Sequence, residues 1–373
     1  MINRYLESII ASRMGQGKAI VLFGARQVGK TTMLKNLLAR RDDVLWLNGD
    51  EQDVRNLFEN VSSTMLKTII GKMSVVVIDE AQRISDIGIG IKLITDNIPD
   101  VQVLATGSSS FDLSNKINEP LTGRKMEYWM YPLSFGELVE HHGLLEEKRL
   151  LAHRLIYGSY PDVINNVGDE RMILTELANS YLYKDILMFD KIKKSDKLVK
   201  LLQALAFQMG SEVSYNELAQ TCGLDPKTVE SYVTLLEQSY IIFRLGSFSR
   251  NLRNELKFAR KIYFWDCGIR NAVIGNYQML ESRLDTGALF ENYMVAERLK
   301  KLRYEKSYAK SYFWRSKLKQ EIDYIEEMDG QLAAVEFKWN PNRKAAMPLS
   351  FSRSYPDVDF KVVTRDNFET FLL

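Results

Sequence analysis

Gly24-Ala25-Arg26-Gln27-Val28-Gly29-Lys30-Thr31-Thr32, the string GARQVGKTT, decides how this chain is read. It fits G-x-x-x-x-G-K-[ST], a loop that wraps phosphate groups. The flanks suit it. Residues 19–23 (AIVLF) form a short apolar run of the length of a buried strand, and residues 32–39 (TMLKNLLA) carry a helical pattern. Strand, loop and helix in that order place successive backbone N–H groups and a helix dipole against an anion. Every residue from Gly24 to Thr32 is therefore expected to line the phosphates. Gly24 and Gly29 supply tight backbone geometry, Lys30 reaches the β- and γ-phosphates, and the Thr31 hydroxyl is placed for magnesium.

A second string completes the first. Val75-Val76-Val77-Ile78 is apolar and ends in Asp79-Glu80, within VVVIDEAQ. A strand ending in two carboxylates supplies what the loop lacks: Asp79 for the magnesium shell and Glu80 to orient an attacking water. ATP and Mg2+ are the cofactors this pair implies. Ser108, in the Thr106-Gly107-Ser108-Ser109 turn, is a candidate for sensing the γ-phosphate or its water, or else belongs to a polar turn. Arg124, in LTGRK, is a candidate for stabilising transferred charge in its own site or a neighbour's, or else a surface arginine, and Arg26, in the loop itself, is a second candidate.

Apolar strand-like runs at 19–23, 44–48, 74–79, 101–106 and 127–131 alternate with helix-compatible stretches. The pattern predicts an α/β fold, a parallel sheet with helices on both faces and its binding edge beyond the strand carboxyl ends. Length 373 suggests two or three domains. We expect a P-loop core over 1–165, a helical linker over 166–195, a winged helix-turn-helix over 196–262 and a separate α/β domain over 263–373. The composition, 46% hydrophobic and 26% charged with net charge +2, is that of an ordinary globular protein and excludes a polycation. No run approaches a membrane span, and two distant cysteines, Cys222 and Cys267, fit a reducing cytoplasm.

The winged-helix expectation rests on Ser214 and Glu217 as a capping box, Asp225 as a cap before Pro226, and an apolar face of Val229, Tyr232, Val233 and Leu236. The outward positions of the second helix are nearly neutral. The following segment, 244–261, holds Arg244, Arg250, Arg253, Lys257, Arg260 and Lys261 against one acid, Glu255. A second basic segment, 298–319, holds nine Lys and Arg against Glu305. The first is expected to lie along nucleic-acid phosphates, positioning without specifying sequence, or else to be the solvated basic face of a docking module between domains; the second is expected as the cationic neighbour that nucleic acid requires.

Near the C-terminus, Asp329-Gly330 between two strand-like runs marks a hairpin. Counting outward from that turn sets Asp323 opposite Glu336 and Glu321 opposite Lys338. These four are expected on one face, with Ile322, Tyr324, Val335, Phe337 and Trp339 on the other. The spacing resembles the PD-(D/E)xK nuclease signature, with Glu291 on the preceding helix. Glu291, Asp323, Glu336 and Lys338 are thus expected as a nuclease-like metal site, or as a charged edge hairpin.

GARQVGKTT, VVVIDEAQRI, LATGSSS, YPLSFGEL, YFWDCGIRNAVIG, GALFENYMVAE, FWRSKLKQEIDYI and AAVEFKW together resemble the AAA-superfamily ATPases that carry a C-terminal domain of unknown function. That resemblance covers nearly the whole chain. It implies an AAA-type ATPase core, a winged helix and a restriction-endonuclease-like domain. The Thr-Gly-Ser turn departs from the first sensor usual in AAA machines, and a second-sensor arginine is not evident. Three functions follow as expectations: a magnesium-dependent ATPase moving its C-terminal domains at DNA, a STAND-like switch or remodelling ATPase that grips a protein, and an ATP-gated nuclease. An oligomer is compatible with each.

Overall fold

The computed structural model describes residues 2–108, 113, 116–179, 195–249 and 260–373. The chain divides into two compact units. The first is Met1–Pro132 with Gln238–Tyr240, and the second is Leu133–Glu237 with Ile241–Leu373. The division falls at 132/133, not at the expected 165.

The first unit is built on five strands: β1 (Ala19–Gly24), β2 (Val44–Asn48), β3 (Val75–Asp79), β4 (Gln102–Gly107) and β5 (Lys125–Met130). Their order is β2-β3-β4-β1-β5, and every pairing is parallel. All residues of β1 and β4 are buried, as is β3 up to Ile78. Helices on both faces explain why these strands are unbroken apolar runs and not alternating ones. Each fully buried Val, Leu or Ile contributes roughly 1.5–3 kcal/mol relative to exposure. Parallel pairing brings the carboxyl ends of β1, β3 and β4 to one edge. That edge receives Gly24, Asp79 and Thr106.

The second unit begins with short helices between Phe135 and Leu177. The expected linker is partly helical, with Glu170–Leu177 a helix, while its stretch 180–194 lies outside the described residues. Helices Ser195–Phe207, Tyr215–Cys222 and Pro226–Gln238 follow. Val229, Tyr232, Val233 and Leu236 are buried. Ser214 Oγ accepts from Glu217 N, but the reciprocal half of the expected capping box is not formed. The reciprocal box is formed instead at Ser134 and Glu137.

Seven strands then make one sheet: β6 (Glu212–Val213), β7 (Ile242–Ser247), β8 (Arg260–Phe264), β9 (Lys310–Arg315), β10 (Glu321–Met328), β11 (Gln331–Lys338) and β12 (Asp359–Thr364), in the order β12-β11-β10-β9-β7-β8-β6. The expected boundary at 262/263 therefore cuts through β8. The β7–β8 hairpin and the C-terminal strands share a sheet because β7 pairs in parallel with β9. The hairpin of β10 and β11 turns at Asp329 (φ 52) and Gly330 (φ 83), two left-handed residues as a tight two-residue turn requires. Met328 pairs with Gln331 and Tyr324 with Val335, the register counted from sequence.

The face assignment needs correction at one point. The β10–β9 register shifts between Ile322 and Ile325. Ile322 and Ile325 consequently pack together with Ala334, Phe351 and Tyr355. Tyr324 packs elsewhere, against Phe337 and Phe371. Ile322 and Tyr324 do not share a face, because a bulge breaks the two-residue alternation.

Candidate nucleotide site and a second acidic cluster

The loop Gly24–Gly29 leaves β1 and feeds helix Lys30–Leu37. Gly24 is required by close approach: a Cβ there would lie 2.2 Å from the Met130 carbonyl oxygen on β5. Gly29 is required by conformation, with φ 95 at the cap of the helix. Ala25 and Val28 are buried, whereas Gln27 and Thr32 face outward. Gln27 also takes a left-handed φ of 57, a cost of order 1 kcal/mol or more that the loop holds in place.

Lys30 is 6% exposed and turns back onto its own loop. Its Nζ donates to Gly24 O and Ala25 O, both at 2.8 Å. Burial lowers its ammonium to about 8, against the opposing pull of Glu80 and then Asp79, while Arg26 pushes it further down. A buried ammonium held by two neutral carbonyls is ready to exchange them for anionic oxygens.

Thr31 Oγ1 donates to Asp79 Oδ2 at 2.8 Å, and Thr106 Oγ1 donates to Asp79 Oδ1 at 2.5 Å. Thr106 also accepts from Glu80 N at 3.1 Å. Glu80 sits in the left-handed region (φ 50, ψ 41), which turns its side chain out of the strand line. Its Oε2 accepts from Gln82 Nε2 at 2.5 Å and from Ser108 Oγ at 3.4 Å, and Gln82 Nε2 also donates to Ser108 Oγ at 2.9 Å. Gln82 Oε1 is buried without a hydrogen-bond partner. The loop, the two carboxylates and the Thr106/Ser108 turn thus form one connected set.

The two candidate arginines separate. Arg26 is close enough to act on the Lys30 charge. Arg124 precedes β5 at the amino end of the sheet, where its backbone pairs with Ala19, and its Nε is held by Asp96 Oδ1 at 2.6 Å. Arg124 cannot serve the loop of its own chain, because five strand residues, ~17 Å, separate the two ends.

Sequence reading missed Arg4, which is buried and donates to Val28 O and Tyr131 O, both at 2.6 Å, pinning the loop from outside. It missed Gln82 as well. No motif flags either position, although the amide within VVVIDEAQ was in plain view.

A hydroxyl and a carboxylate 2.8 Å apart beside a buried lysine are hard oxygen donors, the set Mg2+ takes together with phosphate oxygens. The residues present fit magnesium and a nucleoside triphosphate.

The second cluster lies in the second unit. Lys261 on β8 is 1% exposed. Its Nζ meets Glu291 Oε1 at 2.9 Å and pairs closely with Glu321. Tyr263 OH donates to Glu291 Oε1 at 2.6 Å. Asp323 is buried and accepts from Phe337 N at 2.9 Å. Glu336 pairs with Lys338 at 2.6 Å. Burial, then Glu291 and Glu336, raise the Asp323 carboxyl above the usual carboxylate range. Burial pulls the Lys261 ammonium down, yet Glu291, Glu321 and Asp323 carry it above the usual lysine range. Of the expected residues, Glu291 and Asp323 come together around the Lys261 ammonium, joined by Glu321, while Glu336 acts on Asp323 and pairs with Lys338. Lys261 itself comes from the basic segment 244–261. Among the described residues no three His, Cys, Asp or Glu side chains are set to hold a metal.

Much of the basic charge counted in the sequence is used internally. Arg244 Nε bonds Glu237 at 2.9 Å, and Lys261 is buried as described. Arg250, Arg253 and Lys257 lie outside the described residues. In 298–319, Arg298 pairs with Glu326, Lys300 with Glu297, Lys301 with Glu305, and Arg315 with Glu212 and Glu321, while Arg303 lies over the Trp265 ring. The signature YFWDCGIRNAVIG is also structural. Asp266 accepts from Ser159 N and Ile269 N, and Asn271 donates to Leu155 O and Ile156 O, all in a buried setting.

Among the described residues no helix is long and apolar enough to cross a membrane. Residues 16–139 match an AAA domain, residues 148–279 a domain of unknown function (DUF8612), and residues 286–370 another (DUF4143). The chain is similar to uncharacterized protein MJ1544 of Methanocaldococcus jannaschii, 22% identical over 271 residues, spanning 67% of this chain and only 60% of that protein. It is also similar to an uncharacterized protein of Haemophilus influenzae, 25% identical, covering 68% of this chain and 69% of that one. Among solved structures, the Walker-type ATPase PABY2304 of Pyrococcus abyssi aligns over 74% of this chain and 96% of its own, with a TM-score of 0.51 and 16% identity. The parallel sheet, the phosphate loop and the AAA match agree: the first unit has the fold of a P-loop ATPase and is AAA-like.

Proposed function

We propose that this chain is a magnesium-dependent ATPase, binding and hydrolysing ATP in its first unit and changing the posture of its second. One observation carries the reading: Thr31, Asp79, Thr106 and Glu80 form a continuous hydrogen-bonded chain beside the Lys30 loop. Lys30 exchanges two loop carbonyls for β- and γ-phosphate oxygens. Thr31 and Asp79 hold magnesium, which when bound neutralises charge on the phosphates. Glu80 orients the attacking water and accepts its proton, and Ser108 and Gln82 fix the carboxylate that does so. The buried, unpartnered Gln82 Oε1 supplies a second acceptor close to that water. Arg26 meets developing negative charge. The test is steady-state phosphate release with and without magnesium. Turnover should need the metal and should collapse in Glu80→Gln; metal-independent release, or unaltered turnover in Glu80→Gln, would remove the proposal.

The second unit is read as a winged helix continuous with a PD-(D/E)xK-like sheet, supported by the helix trio, the β7–β8 hairpin and the Asp-Gly ladder of β10 and β11. Internal pairing of Arg244, Lys261, Arg298, Lys300, Lys301 and Arg315 favours a protein partner, as in a regulatory switch or remodelling ATPase, over action at DNA. Binding to duplex DNA across salt decides between them. Several phosphate contacts give a steep loss of affinity with rising salt, and a protein partner gives none on DNA.

A further inference from the structure

We infer that Lys261 is the resident cation of the C-terminal acidic cluster: its ammonium takes the place of a divalent ion among Glu291, Glu321 and Asp323, so the native chain takes up no metal there and gains a divalent-cation site only when Lys261 is removed. The inference is independent of the ATPase reading.

Three elements deliver the acids: helix Thr286–Tyr304 brings Glu291, β10 brings Glu321 and Asp323, and β11 brings Glu336. The resemblance to a nuclease signature predicts a metal where they meet, because facing carboxylates repel unless a cation lies between them. A cation is already there. Lys261 reaches in from β8 with its ammonium 2.9 Å from Glu291 and in close contact with Glu321. It is also near enough to Asp323 to act on that carboxyl.

The lysine cannot easily leave. Its backbone is paired on both sides, with Glu212 of β6 and Leu245 of β7, and its ammonium lies 5.4 Å from the centre of the Phe313 ring. Every acid has its own donor. Glu291 has Lys261 and the Tyr263 hydroxyl, and Glu321 has Lys261 with Arg315 at 3.7 Å. Asp323 has the Phe337 N–H, and Glu336 has Lys338. A divalent ion entering this cluster would face a buried ammonium and carboxylates already committed. Coulomb repulsion at that range, in a low-dielectric site, outweighs what the remaining lone pairs return.

The experiment is a Mn2+ titration followed by electron paramagnetic resonance on the full chain without nucleotide. It compares the parent, Asp323→Asn, Lys261→Met and the Lys261→Met/Asp323→Asn double variant. The parent and Asp323→Asn should take up Mn2+ identically. Lys261→Met should bind one additional ion per chain, and the double variant should lose it. Parental uptake that falls in Asp323→Asn overturns the inference, and so does a Lys261→Met chain that gains no ion. Should Lys261→Met unfold without metal, circular dichroism with and without Mn2+ decides. Folding restored by Mn2+ but not by K+ supports the inference. A chain unfolded in both shows that a divalent ion cannot replace the ammonium.

Discussion

Two acidic clusters sit in this molecule, one in each unit, and they are finished differently. Around Asp79 and Glu80 the donors are neutral: the hydroxyls of Thr31, Thr106 and Ser108 and the amide of Gln82. Around Glu291, Glu321 and Glu336 the donors include ammonium groups, Lys261 and Lys338. Neutral donors orient a carboxylate and leave its charge available, whereas cationic donors consume it. On the proposed reading the first cluster receives a metal and an anionic substrate, whereas the second is neutralised from within. Residue type alone does not distinguish them. The partner of each oxygen does.

The sharpest way to break this comparison is Glu80→Gln. Turnover should fall ~10²–10³-fold while ATP affinity stays within a few-fold, read from phosphate release and calorimetry together. Parallel loss of affinity and turnover would make Glu80 a binding residue. Lys30→Ala should weaken ATP ~100-fold, since a buried charge-assisted contact to phosphate is removed. Gln82→Ala should lower turnover ~10-fold with ATP affinity unchanged, by freeing the Glu80 carboxylate. A changed affinity with unchanged turnover would assign Gln82 to binding.

The pH response sharpens the same contrast. Burial lowers the Lys30 ammonium to about 8. Bound phosphate raises that value, so binding takes up a proton once the free loop has lost one. ATP affinity should be level below that pH and fall by about tenfold per unit above it. Calorimetry in buffers of different ionisation enthalpy detects the proton. The smallest expected effect is that of Arg124→Ala, less than about twofold on turnover at protein concentrations where the chain is monomeric, because it loses only exposed contacts, the pair with Asp96 and a hydrogen bond to Thr122 O.

The five-stranded sheet was legible because buried parallel strands are continuous apolar runs, and β1 to β5 fall within two residues of where those runs were read. The strand–loop–helix around Gly24–Thr32 and the strand that ends at Asp79 were legible because the motif fixes consecutive residues between two apolar runs. Arg4, Gln82 and Lys261 were not. Each acts across long sequence separations or through a common residue type, as when Arg4 grips Val28 O and Tyr131 O. The bulge between Ile322 and Ile325 was invisible for a related reason: alternation in β10 reads the same until its neighbour β9 imposes the shift. The basic segments were read by charge alone, because a sequence counts charges but not their partners. Arg298, Lys300 and Arg315 are each paired inside the unit.

The central claim is that charge left open in the first unit, and not in the second, receives a metal–nucleotide pair. Calorimetric titration of ATP into the full chain, with and without Mg2+, tests it most directly when run beside Lys30→Ala and Lys261→Met. The account predicts one magnesium-dependent binding event per chain, lost in Lys30→Ala and kept in Lys261→Met. Binding that survives in Lys30→Ala, or no heat of association in the parent at millimolar ATP with metal present, would contradict it.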